Sequence, residues 1–186
     1  QRILARSQVT VSGFAPQEYA DGVKLPFQNQ ELLLRLCLHS QKRLSIEGIN
    51  STTLLIKLPE TLQGELRQKA IRAALEKWIK QQAQFQIEEL VSQHAPRFNL
   101  HPRSIRIKTQ RSRWGSCGPQ NDINLNWLLM LAPTAALEYV VVHELCHIRH
   151  KNHSAAFWDL VALHLPEYQQ QRLWLKQNGQ RLMQGL

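Results

Sequence analysis

The stretch Tyr139-Val140-Val141-Val142-His143-Glu144-Leu145-Cys146-His147 constrains the fold more than any other part of this 186-residue chain. Four largely apolar residues demand burial, and they run straight into a cluster of polar, chemistry-bearing groups. On a helix, residues four apart share one face, about one turn apart. His143 and His147 then point the same way while the apolar run packs inward. The chain must bury this helix along one side and open it to a cleft on the other. Two imidazoles at that spacing can converge on one tetrahedral zinc. Glu144 sits beside the first of them, placed to take a proton from a water whose pKa zinc lowers towards about 7. Two histidines four apart also arise by chance, but the apolar helix and the further histidines downstream argue against that here.

A catalytic zinc takes three protein ligands and keeps one position open. The downstream candidates are His150, His153, His164, Asp159 and Glu167. His150 lies about 10.5 Å beyond His143 on a continuous helix, too far to share the ion. Lys151-Asn152 offers a stop, because asparagine tolerates the left-handed conformation that ends helices. The chain can then turn His153 back to the metal, and Ser154 can cap the next helix. Helix-end geometry therefore favours His153 over the residues further on. His150 and His164 read as surface or inter-helix histidines.

Elsewhere the hydrophobic period marks the elements. Val9 and Val11 share a face within Gln8–Val11. Leu34, Leu36 and Leu38 alternate with Arg35, Cys37 and His39, Leu44 and Ile46 with Ser45 and Glu47, and Leu54, Ile56 and Leu58 with Leu55 and Lys57. This period of two predicts a half-buried antiparallel sheet over residues 1–59. From about Glu60 to Gln93 the period becomes helical, with Ile71, Leu75, Trp78, Ile87, Leu90 and Val91 as its stripe, and Ala95-Pro96 ends it. Ile105 and Ile107 predict a short strand. Arg111–Gln120 reads as a loop, and Asp122–Trp127 as a second strand in a hairpin with the first. That strand is either internal or an edge that can pair with an extended peptide. Pro133 suits the first turn of the motif helix, which runs to Arg149 or His150. Two more helices come after it, Ser154–Leu165 and Glu167–Gln177, parted by Pro166. The fold class is α+β.

Composition bounds the rest. A hydrophobic fraction of 43% supports a proper core without staples. Three widely spread cysteines, Cys37, Cys117 and Cys146, do not form a disulfide framework, which predicts a reducing, cytoplasmic setting. No run approaches the roughly 20 apolar residues of a membrane span. The start, Gln1-Arg2-Ile3-Leu4, lacks the apolar core of a signal peptide; it also lacks a methionine, so residues upstream are expected. A formal charge of +9 and a pI near 9.9 favour polyanions such as nucleic acid or phosphate-bearing ligands, or else a solvated basic face.

Several side chains near the motif invite a role. Arg111 and Arg113 are candidates to line the cleft and hold an anionic substrate; the alternative is solvation. Trp114 reads as core and Gly115 as a turn glycine. Cys146, between the two histidines, reads as a buried thiol. Phe157 and Trp158 read as core. Tyr168 or His164 is a candidate to steady a developing oxyanion.

The motif stretch, together with Lys151-Asn152-His153-Ser154, Phe157-Trp158, Arg113-Trp114-Gly115-Ser116-Cys117 and Asn124-Leu125-Asn126-Trp127, resembles the YgjP-like metallopeptidase family. The likeness runs from about Glu60 to Trp174. It implies a small gluzincin-type, zincin-like fold related to the SprT and WLM peptidase domains that clear protein–DNA crosslinks. It implies zinc on His143, His147 and His153, with Glu144 catalytic. The expected organisation is an N-terminal β-rich region, 1–59, and a zincin-like catalytic region, 60–186, in one compact unit. The leading function is a zinc metallopeptidase acting on a peptide or protein. Some members of the family are described as nucleotide pyrophosphatases. The basic balance and Arg111, Arg113 and Arg149 motivate that alternative, a nucleoside triphosphate cleaved at the same site. A nucleic-acid-binding module with structural zinc comes last, because such zinc usually has four closed ligands, often cysteines.

Overall fold

The computed structural model describes residues 15–186. The alternation at Gln8–Val11 lies outside the described residues. Strands β1 (Lys24–Phe27), β2 (Gln30–His39), β3 (Ser45–Asn50) and β4 (Thr53–Pro59) form one sheet in the order β1-β2-β4-β3. The pairs β1–β2 and β3–β4 are antiparallel, but β2 and β4 run parallel in the middle. The sheet is therefore mixed, not antiparallel throughout. An alternating sequence looks the same in either pairing, so the period could not choose between them. Burial could. In β3 only Ile46 is even half-buried, which suits an outer strand. The apolar β2 and β4 take the centre, with Leu34 beside Leu54 and Leu36 beside Ile56.

Helix α1 (Gly64–His94) buries Ile71, Leu75, Ile79, Ala83 and Ile87, one residue every four, and runs from β3 of this sheet to the C-terminal half of the chain. It stops where Ala95 hands over to a short 3-10 turn at Pro96–Phe98. Next comes a second sheet, made of β5 (Ser104–Lys108), β6 (Gly115–Cys117) and β7 (Asp122–Asn126), in the order β5-β7-β6. Here too an expectation changes. The hairpin partner of β7 is β6, inside the segment read as a loop, while β5 lies parallel on the other side. Three residues that include a glycine carry too little alternation to signal a strand. The β6–β7 turn is closed by Asn121 at φ 63°, a left-handed position that asparagine tolerates. Strand β7 is thus internal, and β6 is an outer strand.

Buried Asn126 ties the second sheet to the 3-10 turn Trp127–Leu131, which is entirely buried. The Asn126 amide donates to the carbonyls of Gln110 and Arg113, and its side-chain oxygen accepts from Leu128 N–H. Helix α2 (Thr134–Arg149) starts just after Pro133, which stands at its N-cap and not inside its first turn. Helices α3 (Ala155–His164) and α4 (Tyr168–Leu182) complete the chain. Helix α2 packs against α1, α3, α4, β6 and β7. That position explains how the β-branched run Val140–Val142, a poor helix former alone, is held helical by burial. One buried cluster joins residues from both sheets and all four helices. No helix among the described residues is long and apolar enough to cross a membrane.

The α1 stripe carries much of this packing. Ile79→Ala at a site only 1% exposed is expected to cost about 2–5 kcal/mol in urea unfolding, whereas Leu38→Ala at a position 54% exposed should stay within about 0.5 kcal/mol.

Candidate metal centre

Helix α2 presents His143 and His147 on one face, and the chain then turns back. The expected stop is corrected in its detail. Asn152 is not left-handed; His150 leaves the helix in an extended conformation, φ −120° and ψ 104°. Its N–H still bonds to Cys146 carbonyl, and its own carbonyl meets His147 Nδ1 at 2.9 Å. That hydrogen bond places the His147 proton on Nδ1 and leaves the Nε2 lone pair free. Ser154 accepts from Phe157 N–H and starts α3, so the short segment between the helices is pinned at both ends.

The turn returns His153 to the helix face. His153 Nε2 stands 3.0 Å from His143 Nε2 and 3.2 Å from His147 Nε2. Imidazoles bonded to a tetrahedral zinc at about 2.0–2.1 Å would hold their nitrogens about 3.3 Å apart. The three side chains fit a metal ion by distance and by chemistry. Burial, then the neighbouring charges of His147, His153 and Arg172, pushes His143 down to about 3. Burial also lowers His147, against the pull of the His150 carbonyl. Both rings are thus neutral near pH 7, as ligands must be. Phe157, fully buried on α3, forms the floor, with ring centroids 4.5–4.9 Å from all three histidines. Trp158 stacks on His153 at 5.5 Å, and Tyr139 O–H lies 3.5 Å from His143 Nδ1.

Glu144 lies one residue along from the first histidine and is only 5% exposed. Its Oε2 is buried without a hydrogen-bond partner, an open acceptor in a dry wall. Burial raises its carboxyl to about 7, and Arg113 opposes the shift. The carboxylate rests against Gly115 on β6. A Cβ there would stand 2.6 Å from Glu144 Oε1, so only glycine lets strand and helix approach this closely. Gly115 is therefore a strand residue that makes room, not a turn residue. Its neighbour Trp114 is half-buried against the core. Arg113, Gly115, Tyr139, His143, Glu144 and Leu175 border a groove of about 280 Å³ beside the histidines.

Other candidates lie elsewhere. Arg111 borders a separate cleft with Arg72 and Glu76. Arg149 bonds to the Phe98 carbonyl. His164 is buried beside His94, their Nδ1 atoms 3.3 Å apart, and His94 Nε2 meets Glu138 at 2.8 Å. Asp159 and Glu167 are outside the triad; Glu167 bonds Gln170. Tyr168 is sandwiched between Trp158 and Tyr139, behind the site rather than in it. Cys146 is fully buried, as expected for a packing thiol. Sequence reasoning missed Tyr139 and Arg172. Tyr139 was within reach, because it stands four residues before His143 on the same face. Arg172 carries no such local signal.

Residues 1–178 match the model of the YgjP-like, metallopeptidase domain. The chain belongs to the YgjP-like metallopeptidase family. It is also 35% identical over 77 residues to the UTP pyrophosphatase of Escherichia coli (strain K12). That match covers 39% of this chain and 46% of the relative, less than two thirds of its length. Membership supports a metal-dependent hydrolase, and the three histidines are the described residues grouped as a metal ion requires.

The buried carboxylate has a measurable consequence without metal. Ionised Glu144 is penalised only in the folded state, so metal-free protein loses stability as pH rises from about 4.5 to about 7. Metal-free Glu144→Gln should exceed metal-free wild type in stability by about 2–3 kcal/mol at pH 8. Thermal unfolding in chelator at pH 8 and pH 5 checks this; the gain should shrink towards zero at the lower pH.

Proposed function

We propose that the protein is a zinc-dependent hydrolase of extended peptides, with His143, His147 and His153 as zinc ligands and Glu144 as general base. The observation that carries the peptide reading is the place of β6. It is the outer strand of its sheet, and Gly115 on it touches the Glu144 carboxylate. A substrate strand added to that edge would pair with the β6 backbone and run past the base. Zinc, when bound, supplies a Lewis acid that lowers the pKa of water and polarises the scissile carbonyl. Glu144, desolvated and with an unfilled acceptor, takes the proton of the attacking water and returns it to the leaving amine. Tyr139 and the His150 carbonyl orient His143 and His147. Among the described residues the histidines have no fourth protein donor in their group, which suits an open site better than a closed structural one.

A second reading keeps this site and changes the substrate to a nucleoside triphosphate. The relative that hydrolyses UTP by its name, the net charge of +9 and the guanidinium of Arg113 beside Glu144 favour it. Release of pyrophosphate from UTP that depends on Glu144, with no cleavage of any peptide library, would select it.

Metal analysis and turnover test the site together. Wild type is expected to hold one zinc. His153→Ala should lose it, and Glu144→Gln should keep it while hydrolysis falls by at least about 10²–10⁴-fold. If His153→Ala binds zinc as tightly as wild type, the ligand assignment is wrong. Gly115→Ala should keep zinc but lower kcat by about 10²-fold, because its Cβ displaces the base by a fraction of its length.

A further inference from the structure

Two guanidiniums flank the histidines from different parts of the chain. Arg113 precedes β6 and borders the groove beside Glu144. Arg172 is on α4, one turn before Leu175, which borders the same groove. The Arg172 guanidinium lies 4.6 Å over the Trp158 ring, and Trp158 in turn sits 5.8 Å from His143 and 5.5 Å from His153 between ring centroids. Its charge is felt at both His143 and Tyr139.

Neither arginine has a carboxylate within ion-pair distance among the described residues. Arg35, Arg103, Lys24, Lys57, Lys69 and Lys80 are each paired, while Arg106, Arg111 and Arg149 share the unpaired state without bordering this groove. Lys151, another cation near the site, is tied to Asn121 and the Gly118 carbonyl. Arg113 therefore borders the groove without an ion-pair partner, and Arg172, equally without one, lies over Trp158 beside the histidines. Stacking on Trp158 holds Arg172 in one orientation, so little freedom is lost when it binds a ligand. Glu144 is the acidic group bordering the groove, and Arg113, which borders it too, is near enough for its charge to oppose the upward shift of the Glu144 carboxyl.

We infer that Arg113 and Arg172 form a two-sided clamp that selects substrates with an anionic group next to the bond to be cleaved. A guanidinium fork takes phosphate and carboxylate in the same bidentate geometry. The anion can thus belong to a phosphate chain or to an acidic residue of a peptide. The clamp rests on the proposed use of the groove as the substrate site, and it holds for either substrate named above. Arg172 is the specificity residue that the metal motif does not reveal.

The test uses the Glu144→Gln protein, stripped of metal by chelator, with inorganic triphosphate as probe. Isothermal titration gives affinity without turnover and without coordination to zinc. Arg113→Gln and Arg172→Gln are each expected to weaken binding about tenfold, one charge-assisted contact apiece. Arg172→Lys, which keeps the charge and the stem, should retain more binding than Arg172→Gln and guards against mere loss of fold. Arg106→Gln on the far strand β5 controls for overall charge and should change binding less than about twofold. The clamp is overturned if the Gln variants bind like the parent, or if Arg106→Gln weakens binding as much as they do. Competition then names the anion. Displacement of triphosphate by a nucleoside triphosphate but not by a glutamate-bearing peptide assigns phosphate, and the reverse assigns carboxylate. Displacement by neither overturns the clamp. Zinc content, measured separately on each variant before stripping, shows whether the metal assignment fails independently.

Discussion

Everything at the site depends on how closely helix α2 approaches strand β6. At Gly115 the strand has no side chain, and the Glu144 carboxylate fills the space a Cβ would need. The burial of which that contact is part raises the carboxyl to about 7. The contact also fixes the distance between an outer strand and the two histidines that α2 carries. The carboxylate is dry and lies against an outer strand, and one missing methyl group makes that contact possible.

The scaffold around that contact is organised to keep α2 immobile. Four apolar residues before His143 are buried, and Val140–Val142 would weaken an isolated helix. They are tolerated because α1, α3, α4 and the second sheet enclose the helix. Asn126 plays the matching part on the sheet side, joining the segment 110–113 to the buried turn after β7. Its hydrogen bond to the Arg113 carbonyl ends one residue from Trp114 and two from Gly115, so the polar staple and the glycine contact belong to one rigid wall.

The same architecture separates two kinds of histidine. His143, His147 and His153 face each other with Nε2 atoms in a cluster over Phe157. His94 and His164 also meet nitrogen to nitrogen, yet they are buried among α1, α2 and α3 with Glu138 as partner. Burial is the main force holding His164 down to about 4. Two buried histidines are therefore not a metal group by proximity alone; three imidazoles with ligand atoms within 4.8 Å of one another distinguish the first set.

How much of this was legible in the chain varies with distance along it. Helical spacing placed His143, Glu144 and His147 correctly, and the long stripe from Ile71 to Val91 marked α1, because a helix is decided by neighbours within one turn. The return of His153 was legible as well, although the residue that ends the helix is His150 in an extended conformation and not a left-handed Asn152. Strand pairing was not legible. Alternation is identical in parallel and antiparallel neighbours, and β6 is too short to alternate at all. Nor could local pattern bring Arg172 to the site or send Arg111 away from it. Local pattern and motif were enough for the α+β class, the spacing of His143 and His147 on one helix face, and the family. Which strand lies at the edge, why residue 115 must be glycine and which arginine borders the groove came from the folded chain alone. Each of these depends on contacts between segments tens of residues apart, and no local periodicity encodes such contacts.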